Sequence, residues 1–488
     1  MTQSTTFAEQ QGSTPSRFAR EQTLAQAIKF HLDNEKVSFH TPGHKGRFQL
    51  SEQLSGLQTP FAADLTELPG LDQLSEAESV LKRLQERLAA LFSARETYIS
   101  VNGASAALTA AIMSCTKRGK KVLLPRDVHR SALNACILSG LEPLFYESPF
   151  LADWQISAPA SAAQVEQVIR LHSQDLAAVV LCSPNYAGLL GNFNSVFKLC
   201  KERKVMSIVD EAHAAHSVFS PQFQASALNC GADLVVHSLH KTLCAPTQTG
   251  LLHASQGAAI EPGELASFLS MLQSSSPSYL LMMGIERALE SDLAGVEIAQ
   301  RTVALAARLR AYLAEHHNWV LLDQAVDPLH ILFKHKRIDS AALNEYLQSC
   351  GVFVETVLGT GLLLLLGFGS NQQDIDYLIS CLENVETSLP HITPKEGKPD
   401  SCHFQHAAKK QLMDPRKAFF SKSEMVDATE AGGRIAAENY APCPPGWAVL
   451  LAGQEIDSSV QQIVSANRKV RVVSSPFEGD SDGSNTPS

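Results

Sequence analysis

Seven short, continuous apolar runs, separated by segments with helical periodicity, constrain the fold of this chain most. Continuous apolar runs, unlike alternating apolar and polar positions, are typical of strands that helices cover on both faces. We therefore expect an α/β fold with a mostly parallel sheet, in which ligands bind beyond the carboxyl ends of the strands. The predicted strands are residues 97–101, 121–124, 141–146, 176–182, 205–209, 234–237 and 250–253.

Two consecutive predicted strands end in residues that can carry chemistry. Asp210 closes one strand, and Lys241 follows the next one along the chain. A lysine amine can form a Schiff base with the aldehyde of pyridoxal phosphate (PLP), and a carboxylate can hold a proton on its pyridine nitrogen. The pair in this order, with Ser238 and His240 beside the lysine, predicts a PLP enzyme.

Polar residues after two other strands could complete such a site. Asn102 and Gly103 close the first strand and open an Ala-rich helix, so that the first N–H groups of the helix and Ser105 could cradle a phosphate. Ser105 could equally be the N-cap of that helix. His129 follows the second strand, where an imidazole could stack on a cofactor ring and later pass a proton, or could have a structural role.

Two competing interpretations of these motifs fail. The run Asp210-Glu211-Ala212-His213 is also a pattern of helicase ATPases, but the phosphate loop G-x-x-x-x-G-K-[ST] that they require is missing from the sequence. His213 and His216 lack the His-Glu-x-x-His pattern and a third ligand. His40 and His44 are separated by Pro-Gly, which breaks any helix that would align them. We expect no metal site.

Composition limits the partners of the chain. Its 488 residues are 44% hydrophobic and 18% charged, which is ordinary for a soluble globular protein. A formal net charge of −10 argues against nucleic acid or an anionic membrane as the main partner. No apolar stretch reaches the roughly 18 residues of a membrane span, and the N-terminus does not resemble a secretory signal. None of the ten cysteines forms a C-x-x-C pair, so we expect the buried, reduced thiols of a cytoplasmic protein.

Changes of composition divide the chain into segments. The sequence starts with a Ser/Thr/Gln-rich stretch, has a polar linker before residue 403, and ends in an acidic Gly/Ser-rich tail. Between residues 280 and 390, a long helix over 283–316 and strands around 329–333, 352–355 and 362–368 predict a second α/β unit. The predicted units are a disordered tail (1–21), an N-terminal arm (22–74), a PLP-binding major domain (75–280), a small α/β domain (281–392), a linker (393–402), a C-terminal α+β domain (403–473) and a disordered tail (474–488).

Nine runs, taken in order, resemble motifs of the fold-type-I decarboxylases of ornithine, lysine and arginine. Among them are Thr-Pro-Gly-His-Lys-Gly at 41–46, Asp-Glu-Ala-His at 210–213 and Ser-Leu-His-Lys at 238–241. The others are residues 64–67, 102–103, 126–131, 138–140, 183–186 and 433–438. The similarity covers most of residues 36–460. It implies a compact member of the family, without an extra N-terminal domain.

The resemblance also implies roles for individual residues. Lys241 would be the Schiff-base lysine, and Asp210 would be the partner of the pyridine nitrogen. His129 would stack on the cofactor ring. It is also our candidate for protonating the carbanion that remains when CO2 departs, although the lysine could do so instead. His213 would flank the cofactor. The phosphate would be held by Ser105, the Ala106 N–H, Ser238 and His240. Ala104, Ala106 and Ala107 depart from the family pattern, which usually has more hydroxyl groups after Asn-Gly.

The implied reaction is the decarboxylation of a basic amino acid, arginine, lysine or ornithine, in polyamine or diamine metabolism. The distal cation of such a substrate should meet a carboxylate, and the candidates, which the sequence does not rank, are Asp64, Glu67, Glu355 and Glu438. The resemblance implies at least a homodimer, with residues 36–74 contributing across the interface. The alternatives are another PLP reaction on this scaffold, by an aminotransferase or side-chain lyase, and a non-catalytic PLP-binding relative.

Overall fold

The fold is described from a computed structural model that covers residues 33–34, 36–40, 43–45, 64–68, 71–390, 410–440, 450–457 and 469–475. The strands are β1 (Val37–Phe39), β2 (Glu96–Ser100), β3 (Lys121–Pro125), β4 (Glu142–Tyr146), β5 (Phe150–Leu151), β6 (Ile156–Ser157), β7 (Leu176–Cys182), β8 (Met206–Asp210), β9 (Leu234–Ser238), β10 (Gly250–Ala254), β11 (Trp319–Leu321), β12 (His330–His335), β13 (Val352–Val354), β14 (Thr356–Leu358), β15 (Gly361–Leu365), β16 (Lys422–Asp427) and β17 (Lys469–Ser475).

The α-helices alternate with strands through most of the chain. They are α1 (Val80–Phe92), α2 (Gly103–Met113), α3 (Arg130–Ser139), α4 (Ala162–His172), α5 (Asn194–Arg203), α6 (Ala227–Cys230), α7 (Leu239–Thr242), α8 (Glu264–Ser270), α9 (Tyr279–Arg287), α10 (Val296–Glu315), α11 (Ser340–Ser349), α12 (Gln372–Glu383), α13 (Val385–Ser388) and α14 (Pro415–Phe420). None of the helices in the described part of the chain is both long and apolar enough to cross a membrane.

All seven predicted strands form one sheet, and no strand end differs by more than one residue from the prediction. The strand order is β2-β10-β9-β8-β7-β3-β4, in which β10 is antiparallel to both neighbours and the remaining pairs are parallel. Successive side chains of β3 enter different cores, because Leu123 belongs to one buried cluster and Val122 and Leu124 to another. Helices therefore cover both faces, and the predicted α/β fold is confirmed.

A second sheet follows, with the antiparallel order β11-β12-β15-β14. The prediction of a single long helix before it, over residues 283–316, is wrong. The structure has two helices, α9 and α10, with a turn between them. Arg287, at the end of α9, closes this turn by donating to both carboxylate oxygens of Asp292, at 2.6 and 2.7 Å. The helical periodicity of the apolar residues continues through this turn, which is why the sequence predicted one helix. In the structure, the ion pair between Arg287 and Asp292 and Gly295 before α10 interrupt it.

The N-terminal segment packs beside the short helix that carries Lys241. β1 pairs in parallel with β13. The Gly43 N–H then donates to the His240 carbonyl at 2.6 Å, and the Gly43 carbonyl accepts from the Gly369 N–H at 3.1 Å. A Cβ atom at Gly43 would lie 2.8 Å from the Leu243 carbonyl oxygen, so this close approach of two backbones requires glycine.

The C-terminal segment lies against α3. Strands β16 and β17 pair antiparallel. The Arg416 guanidinium, on α14, donates to the carbonyl groups of Ile137 and Leu138 on α3. Ala418 and Ala452 pack with Ile137 in a small buried cluster. The boundaries of the predicted units stay predictions, and the linker 393–402 and both predicted tails, apart from residues 474 and 475, lie outside the described residues.

The eight cysteines within the described residues are free thiols, five of them buried and three half-buried. Burial raises the pKa of the Cys115, Cys136 and Cys200 thiols to about 12. These groups are therefore protonated at neutral pH, which removes the nucleophilic thiolate. Cys402 and Cys443 lie outside the described residues.

Candidate active site

A cavity of about 450 Å³ lies at the carboxyl edge of the large sheet. Seven of the predicted site residues line it, namely Ser105, His129, Asp210, His213, Ser238, His240 and Lys241. They come from the segments that follow β2, β3, β8 and β9. These four strands run in the same direction, so their carboxyl ends meet at one edge and bring together residues far apart in sequence.

Asp210 and Lys241 occupy neighbouring positions in this edge. Asp210 is the last residue of β8, and its Oδ1 accepts from the Ala212 N–H at 3.0 Å, which fixes the orientation of the carboxylate. Lys241 lies in α7, a four-residue helix that begins directly after β9. The Lys241 Nζ is 2.8 Å from the His213 Nε2. The acid and the amine therefore enter one cavity from adjacent parallel strands.

The N-terminus of α2 forms another wall of the cavity. Gly103 opens this helix with a φ of +73°, a left-handed value that favours glycine. The N-cap is Asn102, whose side chain donates to the Leu272 carbonyl and leaves the first N–H groups of α2 without a side-chain cap. The alternative role of Ser105 as N-cap is therefore wrong. Ala104 lines the cavity, whereas Ala106 is not among the residues of its wall.

His129 caps a helix and also lines the cavity. It is the N-cap of α3, and its Nδ1 accepts from the Ser131 N–H at 3.2 Å. This bond leaves the ring proton of the neutral imidazole on Nε2. Burial lowers the pKa of His129, although the nearby Asp210 opposes that shift, so the neutral form prevails at neutral pH.

Behind Lys241, a buried chain of hydrogen bonds leads away from the cavity. The His213 Nδ1 is 3.1 Å from the His330 Nε2, and the His330 Nδ1 is 3.2 Å from the Asp327 Oδ1. The other carboxylate oxygen of Asp327 is 2.9 Å from the His216 Nε2. Burial alone would raise the pKa of Asp327, but its two imidazole partners hold it well below the ordinary value. Burial and Lys241 lower the pKa of His213 well below its ordinary value.

Glu355 is the one predicted cation-binding carboxylate that contacts a residue of the cavity wall. It is half-buried, and its Oε1 accepts from the Tyr186 hydroxyl at 3.0 Å. Tyr186 lines the cavity and meets the His213 ring edge-on, with 5.5 Å between the ring centroids. None of the four candidates is among the described residues that line the cavity. Glu355 contacts its wall through Tyr186, whereas Asp64 is exposed, Glu67 accepts from the Thr66 hydroxyl, and Glu438 belongs to the C-terminal segment.

The donors and acceptors of the cavity fit PLP. Helix N–H groups, two serine hydroxyls and His240 suit a phosphate, and a carboxylate suits a protonated pyridine nitrogen. Lys241 supplies an amine for the aldehyde, and the volume is in the range of small-molecule and cofactor sites.

Sequence reasoning missed Asp327 and His330 and gave no separate role to Tyr186. One local signal for the first two was available. Asp327 and His330 stand three positions apart at the start of an apolar strand, where polar side chains need partners once buried. Their partners, His216 and His213, lie more than 100 positions away in the sequence, so the signal does not identify them.

We expect Gly188→Ala to destabilise the protein by about 2–4 kcal/mol, because the new methyl group has no space. Gly188 has a φ of +88°, and a Cβ atom there would lie 2.3 Å from the Cβ of His330. Gly263→Ala is a matched control, since Gly263 has a φ of +79° and no neighbouring atom within 4 Å of the new Cβ. The free energy of urea unfolding measures both. A loss at Gly188 no larger than at Gly263 would contradict the steric argument.

The sequence is similar to known decarboxylases over most of its length. The family described as "Orn/Lys/Arg decarboxylase, major domain" matches residues 22–333. The chain is 28% identical to an arginine decarboxylase of Halalkalibacterium halodurans, over 95% of this chain and 96% of the relative. It is also 28% identical to an arginine decarboxylase of Bacillus subtilis, over 89% of this chain and 91% of the relative.

A solved structure shows the same fold. The lysine decarboxylase of Francisella novicida superposes with a TM-score of 0.71 at 17% identity, over 85% of this chain and 75% of that one. The family match covers more than half of the sequence and includes every residue described above as lining the cavity. The chain therefore belongs to the Orn/Lys/Arg decarboxylase family and is a PLP-dependent amino-acid decarboxylase.

Proposed function

We propose that this enzyme decarboxylates a basic amino acid, arginine, lysine or ornithine, to the corresponding amine. The observation that carries the proposal is the single cavity that Asp210 and Lys241 enter from adjacent strands. Arginine is the first substrate to test, because the two relatives compared above, each 28% identical over 89% or more of the chain, are named arginine decarboxylases.

Several residues that line the cavity have a proposed task. Bound PLP supplies an electron sink for the electron pair left when CO2 departs. Lys241 would hold PLP through its aldehyde, with loss of the aldehyde oxygen as water, and Asp210 would hold a proton on the ring nitrogen. Ser105, Ser238 and the first N–H groups of α2 would donate to the phosphate. The His240 Nδ1 is 3.3 Å from the Thr249 carbonyl, so His240 would donate to the phosphate from Nε2 as an imidazolium. Burial lowers its pKa to about 4 in the absence of an anion, and a phosphate would oppose that shift.

His129 is the proposed proton donor to the substrate. Its ring proton is on Nε2, because Nδ1 accepts from the Ser131 N–H. A neutral imidazole that presents an N–H to the cavity can protonate a carbanion at the substrate Cα after CO2 leaves. We also propose that His129 lies against the cofactor ring.

Glu355 and Tyr186 are the proposed partners of the distal cation of the substrate. The carboxylate is half-buried, so a charge-assisted hydrogen bond there is screened less than on an open surface. The Tyr186 hydroxyl holds one oxygen of Glu355 and leaves the carboxylate able to accept further bonds.

Glu355→Gln should raise KM about 10- to 100-fold with a smaller effect on kcat. The glutamine keeps an oxygen for Tyr186 but loses the charge that pairs with the substrate cation. Steady-state kinetics with each amino acid measures the effect. Glu345→Gln, an exposed glutamate of α11, makes the same change of charge as a control. The same substitution at Glu67 or Glu438, or Asp64→Asn, tests the other candidates, and a larger rise of KM there would refute the assignment to Glu355.

The substrate is identified by offering L-arginine, L-lysine and L-ornithine separately to the PLP-loaded protein. We expect stoichiometric CO2 and amine from one of them, with kcat/KM at least about tenfold above the others. Transfer of the amino group, or cleavage of the side chain without CO2, would replace this proposal by the corresponding PLP reaction.

Three further parts of the proposal rest on the family resemblance. We propose a homodimer or higher homo-oligomer, in which residues 36–74 contribute across the interface. We also propose a cytoplasmic location and a role in polyamine or diamine metabolism. Light scattering of the purified protein tests the first part, and a monomeric mass at micromolar concentration would contradict it.

A further inference from the structure

The buried chain behind Lys241 contains a carboxylate that restricts where the ring protons lie. An ionised carboxylate only accepts hydrogen bonds, and the Asp327 Oδ1 is 2.9 Å from the Leu329 N–H nitrogen and 3.2 Å from the His330 Nδ1. The Nδ1 of His330 therefore carries a hydrogen. If the His330 ring is neutral, its Nε2 has no hydrogen and is an acceptor. The His213 Nδ1, which is 3.1 Å away, is then the donor. The remaining nitrogen of His213, Nε2, presents a lone pair to Lys241.

We infer that Asp327 and His330 are positioning residues that hold His213 in the tautomer whose Nε2 accepts a hydrogen bond from Lys241. In the opposite tautomer, an N–H would face the lysine at 2.8 Å. That N–H would engage the lone pair of a neutral amine and repel an ammonium group. The acceptor form orients the amine by one of its own N–H bonds and leaves its nucleophilicity towards an aldehyde intact. The inference rests on the proposed role of Lys241.

The surroundings favour this single arrangement. Asp327, His216 and His330 are at most 2% exposed, so bulk solvent does not compete for the hydrogen bonds at the far end of this buried chain. The Asp327 N–H donates to the Gly188 carbonyl at 2.8 Å, and the missing side chain of Gly188 makes room for the His330 ring. If His330 were charged, its Nε2 would carry a hydrogen and donate to the His213 Nδ1. The ring hydrogen of a neutral His213 would then lie on Nε2, where it would face the N–H donors of a protonated Lys241.

The tautomer of His213 can be read directly from the unaltered protein. In PLP-free protein labelled with 15N-histidine, we expect the two ring nitrogens of His213 to report hydrogen on Nδ1 and none on Nε2. Its signals are assigned by their loss in His213→Asn. Hydrogen on Nε2, or on both nitrogens, would overturn the inference.

The consequence for Lys241 is measured by competitive acetylation of the PLP-free protein, with the modified peptide quantified by mass spectrometry. His330→Leu removes the acceptor for His213, and we expect the labelling rate of Lys241 to fall about tenfold. His330→Gln retains a side-chain oxygen near the former Nε2 and should restore the rate to within about threefold of the wild type.

A second buried chain provides the control. Glu211, His237 and His253 are linked by contacts of 2.9 and 3.0 Å, and this chain ends at the Thr97 hydroxyl instead of at Lys241. His253→Leu should therefore leave the labelling of Lys241 unchanged. Wild-type labelling in a folded His330→Leu variant, or an equal loss in His253→Leu, would refute the inference. If His330→Leu does not fold, the tautomer measurement alone decides. Absence of CO2 release from every substrate would overturn the proposed function and leave both readouts interpretable.

Discussion

Lys241→Ala should abolish the covalent attachment of PLP and lower the rate of CO2 release by at least about 1000-fold. Lys241 is the lysine among the described residues that line the cavity, which the Asp210 carboxylate also lines. Alanine retains the backbone of α7 but offers no amine to the aldehyde. Borohydride reduction followed by peptide mass spectrometry measures the attachment, and CO2 release measures the rate.

Lys204→Ala is the matched control for this prediction, because Lys204 is an exposed lysine after α5 that does not line the cavity. It should retain both the attachment and the rate. A small primary amine added to Lys241→Ala should recover part of the activity, since it replaces the missing nitrogen without altering the fold. Covalent attachment of PLP to another lysine, with CO2 release retained in Lys241→Ala, would show that Lys241 has been assigned wrongly.

Asp210→Ala should lower kcat about 100- to 1000-fold, which corresponds to about 3–4 kcal/mol of lost transition-state stabilisation. The carboxylate is held by the Ala212 N–H at one oxygen, so it is oriented before any ligand binds. Without it, the ring nitrogen of PLP loses its proton more readily and withdraws electrons less effectively. The effect should fall on kcat more than on the amount of PLP bound, which the α2 N-terminus and the serine hydroxyls also hold.

Two measurements separate this electronic role from a structural one. PLP methylated on its ring nitrogen carries a permanent positive charge, and it should restore part of kcat in Asp210→Ala because the alanine leaves room for the methyl group. Asp233→Asn changes another buried carboxylate, which accepts from the Ser207 N–H at 2.8 Å away from the cavity. It should affect unfolding more than kcat. Failure of the methylated cofactor in a folded Asp210→Ala variant would argue against the pyridine contact.

The large sheet, its covered faces and the proposed pairing of Asp210 with Lys241 could be predicted from local sequence patterns. Apolar continuity is a local property, so each strand could be predicted from about five residues. Asp210 and Lys241 could be paired because both follow strand ends, and parallel strands end at one edge. The sequence did not show whether Ser105 is the N-cap of α2. The structure places Asn102 at that position, where its side chain donates to the carbonyl of Leu272, a residue far away in the sequence.

Contacts between side chains that are distant in the sequence could not be predicted before the fold was known. Periodicity does not show that a turn closed by Arg287 and Asp292 divides the predicted helix over 283–316. It also does not rank Glu355 above the other carboxylates, because its contact with Tyr186 spans 169 positions. His213 and His330 are 117 positions apart. Such contacts depend on how two sheets pack against each other, and buried hydrogen bonds between them leave no pattern along the chain.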